Sequence, residues 1–520
     1  MRKCGAMFRP PSAAEVRELV SGLELPERFF IGTATSGYQC EGGYNSGDGP
    51  RNNWAEWEPL PGRERTGSTT RFFDFPERDL DLARGLGLNA HRLTLEWARL
   101  VPVRVRMKLA APPPWDDAAL TRYVDILAGC RQRGLEPIVS LHHFTHPYWL
   151  GLDPWLSDEG QEHFCSHVET LVARINERLL ARGHDPIRLW LTVNEPNVLA
   201  PGTYLARWMP SAYSLDLRAP SRLVRALDGL YTAHVLAYGI LHRWYEARGL
   251  KPPSVSFNNF AVDFYEGDRL FVDLILSRSR GLRFGGHSLR ADLVDRARAH
   301  AALLSPLDEE AHAASPERWL VARTVRRLGP RLMHPGRFPR LRRAVEESDY
   351  LRPLDFVAFD YYDASLANQV KFAASTYEPW EWCASPEGLE LLLRANATDS
   401  LPVFVAENGM ATRRPVGAPP QPRVDGIRRD DFVRAHLFHL LSAIKQGVDV
   451  MGYLHWSLTD NYEWGRFSPR FGLHAVDFQD PARHRDALDA SGVNAASAYG
   501  RIARAIVLRD KEALAVALAG

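Results

Sequence analysis

Two short apolar runs end in the same unexpected way. Trp190-Leu191-Thr192-Val193-Asn194-Glu195-Pro196 and Val403-Phe404-Val405-Ala406-Glu407-Asn408-Gly409 each carry apolar and β-branched residues, and each stops at a glutamate beside an asparagine. A carboxylate closing a buried strand resists dehydration unless it is paired or reacting. Glu407 follows Glu195 by 212 residues, so a shared site requires a fold that gathers distant strand ends. Two carboxyls flanking one bond can divide an acetal hydrolysis between them, one giving a proton to the leaving oxygen and the other attacking. That is the residue requirement for cleaving a glycosidic bond.

The elements that must position this pair are legible as repeats of one pattern. Eight β-rich runs recur, at Phe29–Thr35, Ala90–Leu95, Pro137–His142, Leu189–Asn194, Ser254–Asn258, Phe356–Tyr361, Val403–Glu407 and Met451–His455. Amphipathic stretches separate them, among them Ala118–Arg133, Glu162–Arg182, Ser221–Arg248 and Phe432–Gln446. Strand and helix alternating eight times predict a single α/β domain over residues 1–520, a (β/α)₈ TIM barrel. Active sites of such barrels gather at the C-terminal strand ends. Gln39, Arg92, His142 and His143 sit at or near those ends as well.

One segment is out of proportion. Between the fifth and sixth strands lies far more chain than one crossover helix needs, and residues 278–343 hold 15 arginines against 6 acidic residues. An enlarged surface loop with short helices is one expectation. A basic surface that docks a partner or an anionic membrane is the other, because apolar residues interleave with arginines over Trp319–Leu332.

Bulk properties narrow the classes. A formal net charge of +1 gives no overall pull toward nucleic acid, and 45% hydrophobic residues suffice for a large core. Five widely spaced cysteines argue against a disulfide framework and for a reducing compartment. No CxxC pair suggests a structural metal. The charged start Met1-Arg2-Lys3 has no apolar stretch behind it, and no run reaches transmembrane length, so the expectation is a cytoplasmic protein. The sequence leaves the oligomeric state open.

Four ordered motifs carry a resemblance to a known family. Phe30-Ile31-Gly32-Thr33-Ala34-Thr35-Ser36-Gly37-Tyr38-Gln39-Cys40-Glu41-Gly42, Thr192-Val193-Asn194-Glu195-Pro196, Ala406-Glu407-Asn408-Gly409 and Trp456-Ser457-Leu458-Thr459-Asp460-Asn461-Tyr462-Glu463-Trp464 stand in this order along the chain. Together they resemble the family 1 glycoside hydrolases, the β-glucosidase and β-galactosidase group, from about Phe29 to Asp477. The resemblance implies a retaining β-glycosidase that needs no metal or organic cofactor. Glu195 is then the general acid and base, and Glu407 the nucleophile. Arg92 and Tyr362 support the ionised nucleophile, and Gln39, His143, Asn194, Glu463 and Trp464 bind the sugar. Trp456 forms its floor, and Trp382 a platform at the pocket mouth. A retained Glu195 argues for O-glycosides, β-glucoside first, with β-galactoside and β-fucoside within reach. An acidic Glu463 disfavours 6-phospho sugars. The alternative within the same chemistry is a transglycosidase or glycolipid-processing enzyme docked through the basic insert.

Three positions depart from the family pattern. Asp360, in Phe359-Asp360-Tyr361-Tyr362, stands where asparagine is usual. A third carboxylate there disfavours ionising all of them unless one is protonated or paired with arginine. Thr145-His146-Pro147 replaces Asp-Leu-Pro, and Glu96 replaces a small residue behind the second strand. Neither catalytic carboxylate is lost.

Overall fold

The computed structural model describes residues 8–369, 378, 380, 382–397 and 399–520. The first seven residues, read above for a leader, lie outside them. Eight strands form a closed parallel barrel: β1 (Phe30–Ala34), β2 (Ala90–Thr94), β3 (Glu136–Ser140), β4 (Leu189–Asn194), β5 (Ser254–Phe260), β6 (Val357–Tyr361), β7 (Val403–Asn408) and β8 (Val450–His455). Each pairs with its sequence neighbour, and β8 closes onto β1 through Phe30↔Gly452 to Thr33↔His455. All eight expected strands are present, with ends moved by at most two residues.

One helix follows each strand around the outside: α1 (Pro76–Gly85), α2 (Asp117–Gln132), α3 (Asp158–Ala181), α4 (Ala219–Glu246), α5 (Pro339–Glu347), α6 (Pro386–Asn396), α7 (Arg429–Lys445) and α8 (Ala495–Leu508). The side chains of Asp116 and Ser157 accept the orphan backbone amides of Ala119 and Gly160, which fixes where α2 and α3 begin. Strands packed on both faces need apolar residues at nearly every position, hence the continuous runs in the sequence. Ala90, Ile138, Leu191, Ala358, Phe404, Ala406 and Leu454 fill the barrel interior, while Val139, Trp190, Val193 and Val255 pack outward under the helices.

The enlarged segment is helical. His287–Leu303, Ser305–Ala314 and Pro316–Leu332 stand between β5 and α5. Many of its arginines are spent internally. Arg280 and Arg296 both reach Asp273, Asp292 and Asp399, which locks the segment to the loop before β7. Arg326 pairs with Asp263, just past β5, at 2.5 Å. Arg340 holds Asp158 at the start of α3. Along Pro316–Leu332, however, Leu320, Leu328, Arg323, Arg327 and Arg331 remain exposed. Gly329 on the inner side of that helix meets the ring of Phe264.

Among the described residues no helix is long and apolar enough to cross a membrane. Cys40, Cys130 and Cys165 are free thiols, whereas Cys383 is disulfide-bonded, which does not fit the expectation of a reducing compartment.

Candidate active site

Local backbone breaks aim the two glutamates. On β7, Phe404 and Ala406 face the barrel interior, and strict alternation would turn Glu407 outward. Instead the register slips: Phe359↔Val405 is followed by Asp360↔Glu407, and the same extra residue recurs against β8. This bulge places two successive side chains on the inner side. A second register break between Leu191 and Asn194 does the same for the end of β4. Glu195 then adopts a left-handed backbone (φ 42°, ψ 59°), as the cap of the Pro196–Tyr204 helix. A non-glycine residue there is strained, and it is held by its amide donating to the Asn258 carbonyl at 2.7 Å.

The two carboxyls converge, and a third joins them. Oxygens of Glu195, Glu407 and Asp360 all lie within 4.8 Å of one another, and all three residues are buried. Arg92, fully buried on β2, is their cation. Its Nη1 donates to Glu407 Oε1 at 2.7 Å and lies 3.9 Å from Asp360 Oδ1. Its Nη2 donates to Asn194 Oδ1 at 2.5 Å, and its Nε to Ser140 Oγ at 2.8 Å. Tyr362 donates its phenol to Glu407 Oε2 at 2.8 Å. The guanidinium therefore ties β2, β3, β4 and β7 together while facing the carboxyl cluster.

Burial raises all three carboxyls above the ordinary range. For Glu407 the opposing influences are the charge of Arg92 and hydrogen bonds from Tyr362 and Arg92. For Glu195 burial is joined by the charges of Asp360 and Glu407, which push it well up. For Asp360 burial is joined by the charge of Glu407. A charge on Glu407, supported by Arg92 and Tyr362, thus favours keeping a proton on the Glu195–Asp360 pair. The arrangement offers one carboxylate ready to attack and one carboxyl ready to give a proton.

The remaining expected residues surround this cluster. Asn194 Nδ2 contacts His143 Nε2 at 3.4 Å. His143 is kept neutral by burial and by the charge of Arg92, and it lies parallel to Trp456 and Trp464 with ring centres 5.8 and 6.1 Å away. Glu463 accepts from the Trp456 indole at 3.1 Å and from Gln39 Nε2 at 3.1 Å. Burial pushes Glu463 up to about 8, so it can also donate to a sugar hydroxyl. Trp382 packs on Tyr362 (5.5 Å) and Phe260 (6.1 Å). Gly409 lies so close to Trp456 that a Cβ would stand 1.9 Å from its carbonyl oxygen.

Sequence reading passed over Asn258, which lies on β5 two residues before its end and donates to Asn194 Oδ1 at 2.6 Å and to Asp360 Oδ2. A polar residue closing the expected strand was the available signal, the same one that marked Glu195. Two departures from the family pattern meet each other: Thr145 donates its hydroxyl to Glu96 Oε2 at 2.7 Å. Glu96 is fully buried behind β2, and burial pushes it up to about 7. His142 and His146, four residues apart, stack their rings with centres 6.2 Å apart. The three-carboxyl cluster faces the guanidinium of Arg92.

Comparison with known proteins places the chain in a family. The profile of glycosyl hydrolase family 1 matches residues 22–247 and 348–492, leaving out the stretch that contains the insert helices. The β-galactosidase of Sulfolobus acidocaldarius is 27% identical over 516 residues, covering 88% of this chain and 91% of that protein. A 6-phospho-β-galactosidase of Lacticaseibacillus casei is 24% identical over 489 residues, covering 89% and 95%. The solved β-glycosidase from Pyrococcus horikoshii superposes with a TM-score of 0.61 at 26% identity, over 93% of this chain and 96% of that one. With the profile matched on both halves of the barrel, the chain belongs to glycosyl hydrolase family 1 and is a glycosidase.

Proposed function

We propose that this enzyme hydrolyses O-linked β-D-glycosides with retention, β-glucosides foremost and β-galactosides and β-fucosides alongside them. The observation that carries the reading is the close approach of Glu195 and Glu407, within 4.8 Å. Retaining enzymes hold their carboxyls about 5–5.5 Å apart, whereas inverting ones need about 6.5–9.5 Å to seat a water. Glu195 gives its proton to the glycosidic oxygen as Glu407 attacks the anomeric carbon, and the aglycone leaves as an alcohol. Glu195, now ionised, takes a proton from water. The resulting hydroxide attacks the same carbon, and the bond to Glu407 breaks to return its carboxylate. Gln39, Asn194, His143, Glu463 and Trp464 pair the sugar hydroxyls, and Trp456 carries the ring face. The Glu463 carboxyl, hydrogen-bonded to Trp456 and Gln39, suits free O4 and O6 hydroxyls and would face a 6-phosphate with like charge once ionised.

Glu407→Gly should abolish turnover of nitrophenyl β-glucoside, and added azide should restore it with an α-glycosyl azide as product. A β-azide would mean that Glu407 is not the nucleophile.

A second reading, transfer to or release from a glycolipid, is favoured by one observation. The exposed Leu320, Leu328, Arg323, Arg327 and Arg331 lie on a helix whose other side leans on Phe264. Phe264 belongs to the same apolar cluster as Phe260, Val262, Leu366, Trp382 and Trp456. An apolar wall beside a basic, apolar rim suits an amphiphilic aglycone held at an anionic surface.

A further inference from the structure

The retaining chemistry needs only two carboxyls, yet three are present, and one oxygen of the third is an unsatisfied acceptor. Asp360 is fully buried. Its Oδ2 accepts from Asn258, whereas its Oδ1 has no hydrogen-bond donor and only a distant 3.9 Å approach from Arg92. An ionised carboxylate oxygen in that state is costly in a dry interior. The groups facing Asp360 are Glu195 at the end of β4, Glu407 on β7, Arg92 on β2 and Tyr362 two residues on. Asn258 on β5 is neutral. Tyr362 and Arg92 already donate to Glu407. Glu195 is the remaining neighbour that can supply a proton: its carboxyl lies within 4.8 Å of Asp360's and in hydrogen-bonding contact with it.

We propose that Asp360 is a positioning residue that shares one proton with Glu195, accepting the Glu195 carboxyl hydrogen on Oδ1 whenever the acid is poised to protonate a leaving group. The proposal rests on the reading of Glu195 as acid and base. The cluster then holds Arg92 as its cation, Glu407 and Asp360 ionised, and one proton on the pair. Two consequences follow for the two half-reactions. Before glycosylation the bond fixes the Glu195 side chain and keeps it protonated to higher pH. After the proton leaves, two facing carboxylates repel each other, which makes Glu195 a stronger base toward the incoming water. The rise that burial and these neighbours impose on Glu195 runs in the same direction.

The test is the pH dependence of kcat/KM on nitrophenyl β-glucoside for wild type and Asp360→Asn. Asparagine keeps the shape but removes the charge and can donate in place of accepting. The basic limb should move to lower pH by about one unit or more, a roughly tenfold loss above the limb. A basic limb that stays in place would overturn the proposal, whatever happens to the maximal rate. Thermal unfolding of Glu195→Gln gives a second, activity-free readout. Its amide donates permanently to Asp360 Oδ1, so the variant should melt above wild type at pH 9, and adding Asp360→Asn should erase the gain. No gain at pH 9 counts against proton sharing. If the melting result holds while wild type turns over no β-glycoside, the shared proton stands and the assignment of the reaction is what fails.

Discussion

At the scale of the residue, the division of labour between two chemically identical side chains is set by what touches each. Glu407 receives Arg92 and Tyr362 at 2.7 and 2.8 Å. Glu195 faces two other carboxyls and a buried surround. The first environment favours a charge and the second a proton, which is the separation that acid and nucleophile require. Glu195→Gln should therefore lower kcat/KM by about 10²–10⁴ for alkyl or sugar leaving groups. Dinitrophenyl glycosides, whose leaving group needs no proton, should keep most of their first-step rate, seen as a burst. Equal loss across both leaving groups would remove Glu195 from the acid role.

At the scale of the element, the strands were legible because barrel strands buried on both faces leave little room for polar residues, so each polar interruption stood out. Arg92, Glu195 and Glu407 were found in that way, whereas the sugar-binding role of Asn194 came from the resemblance. The bulge at Ala406–Glu407 was not legible, because nothing in Val-Phe-Val-Ala-Glu-Asn announces that alternation fails at its fifth residue. The insert was readable in composition but not in pairing. Its arginines find Asp273, Asp399 and Asp158, which lie outside it in sequence and are brought near only by the fold. What that internal pairing leaves over is the outer face of Pro316–Leu332. If the second reading holds, the enzyme should sediment with phosphatidylglycerol vesicles at low salt and be released at high salt. Arg323→Glu with Arg327→Glu and Arg331→Glu should stay in the supernatant. Wild type that fails to pellet would sink the membrane version.

At the scale of the whole molecule, buried acids make stability depend on pH in an unusual direction. Burial pushes Glu96 from about 4.5 up to about 7. A carboxyl raised on folding stabilises fully below its unfolded value, and that contribution is lost as pH rises through the folded value. Between pH 5 and 8.5 the loss from Glu96 is about 3 kcal/mol, and Glu463, pushed up to about 8, acts with the same sign. Glu96→Gln keeps an acceptor for Thr145 but cannot ionise. Urea unfolding at the two pH values should show wild type losing about 3 kcal/mol relative to this variant, and parallel behaviour would assign the pH dependence elsewhere. A different consequence follows from the single guanidinium that bonds side chains on β3, β4 and β7 at once. None of these contacts forms within one βα unit, and Asn194 and Glu407 lie in opposite halves of the chain. A refolding molecule can regain its helices, and even most of a curled sheet, without assembling a working centre. Catalysis becomes a reporter of barrel closure, the last long-range event on the path.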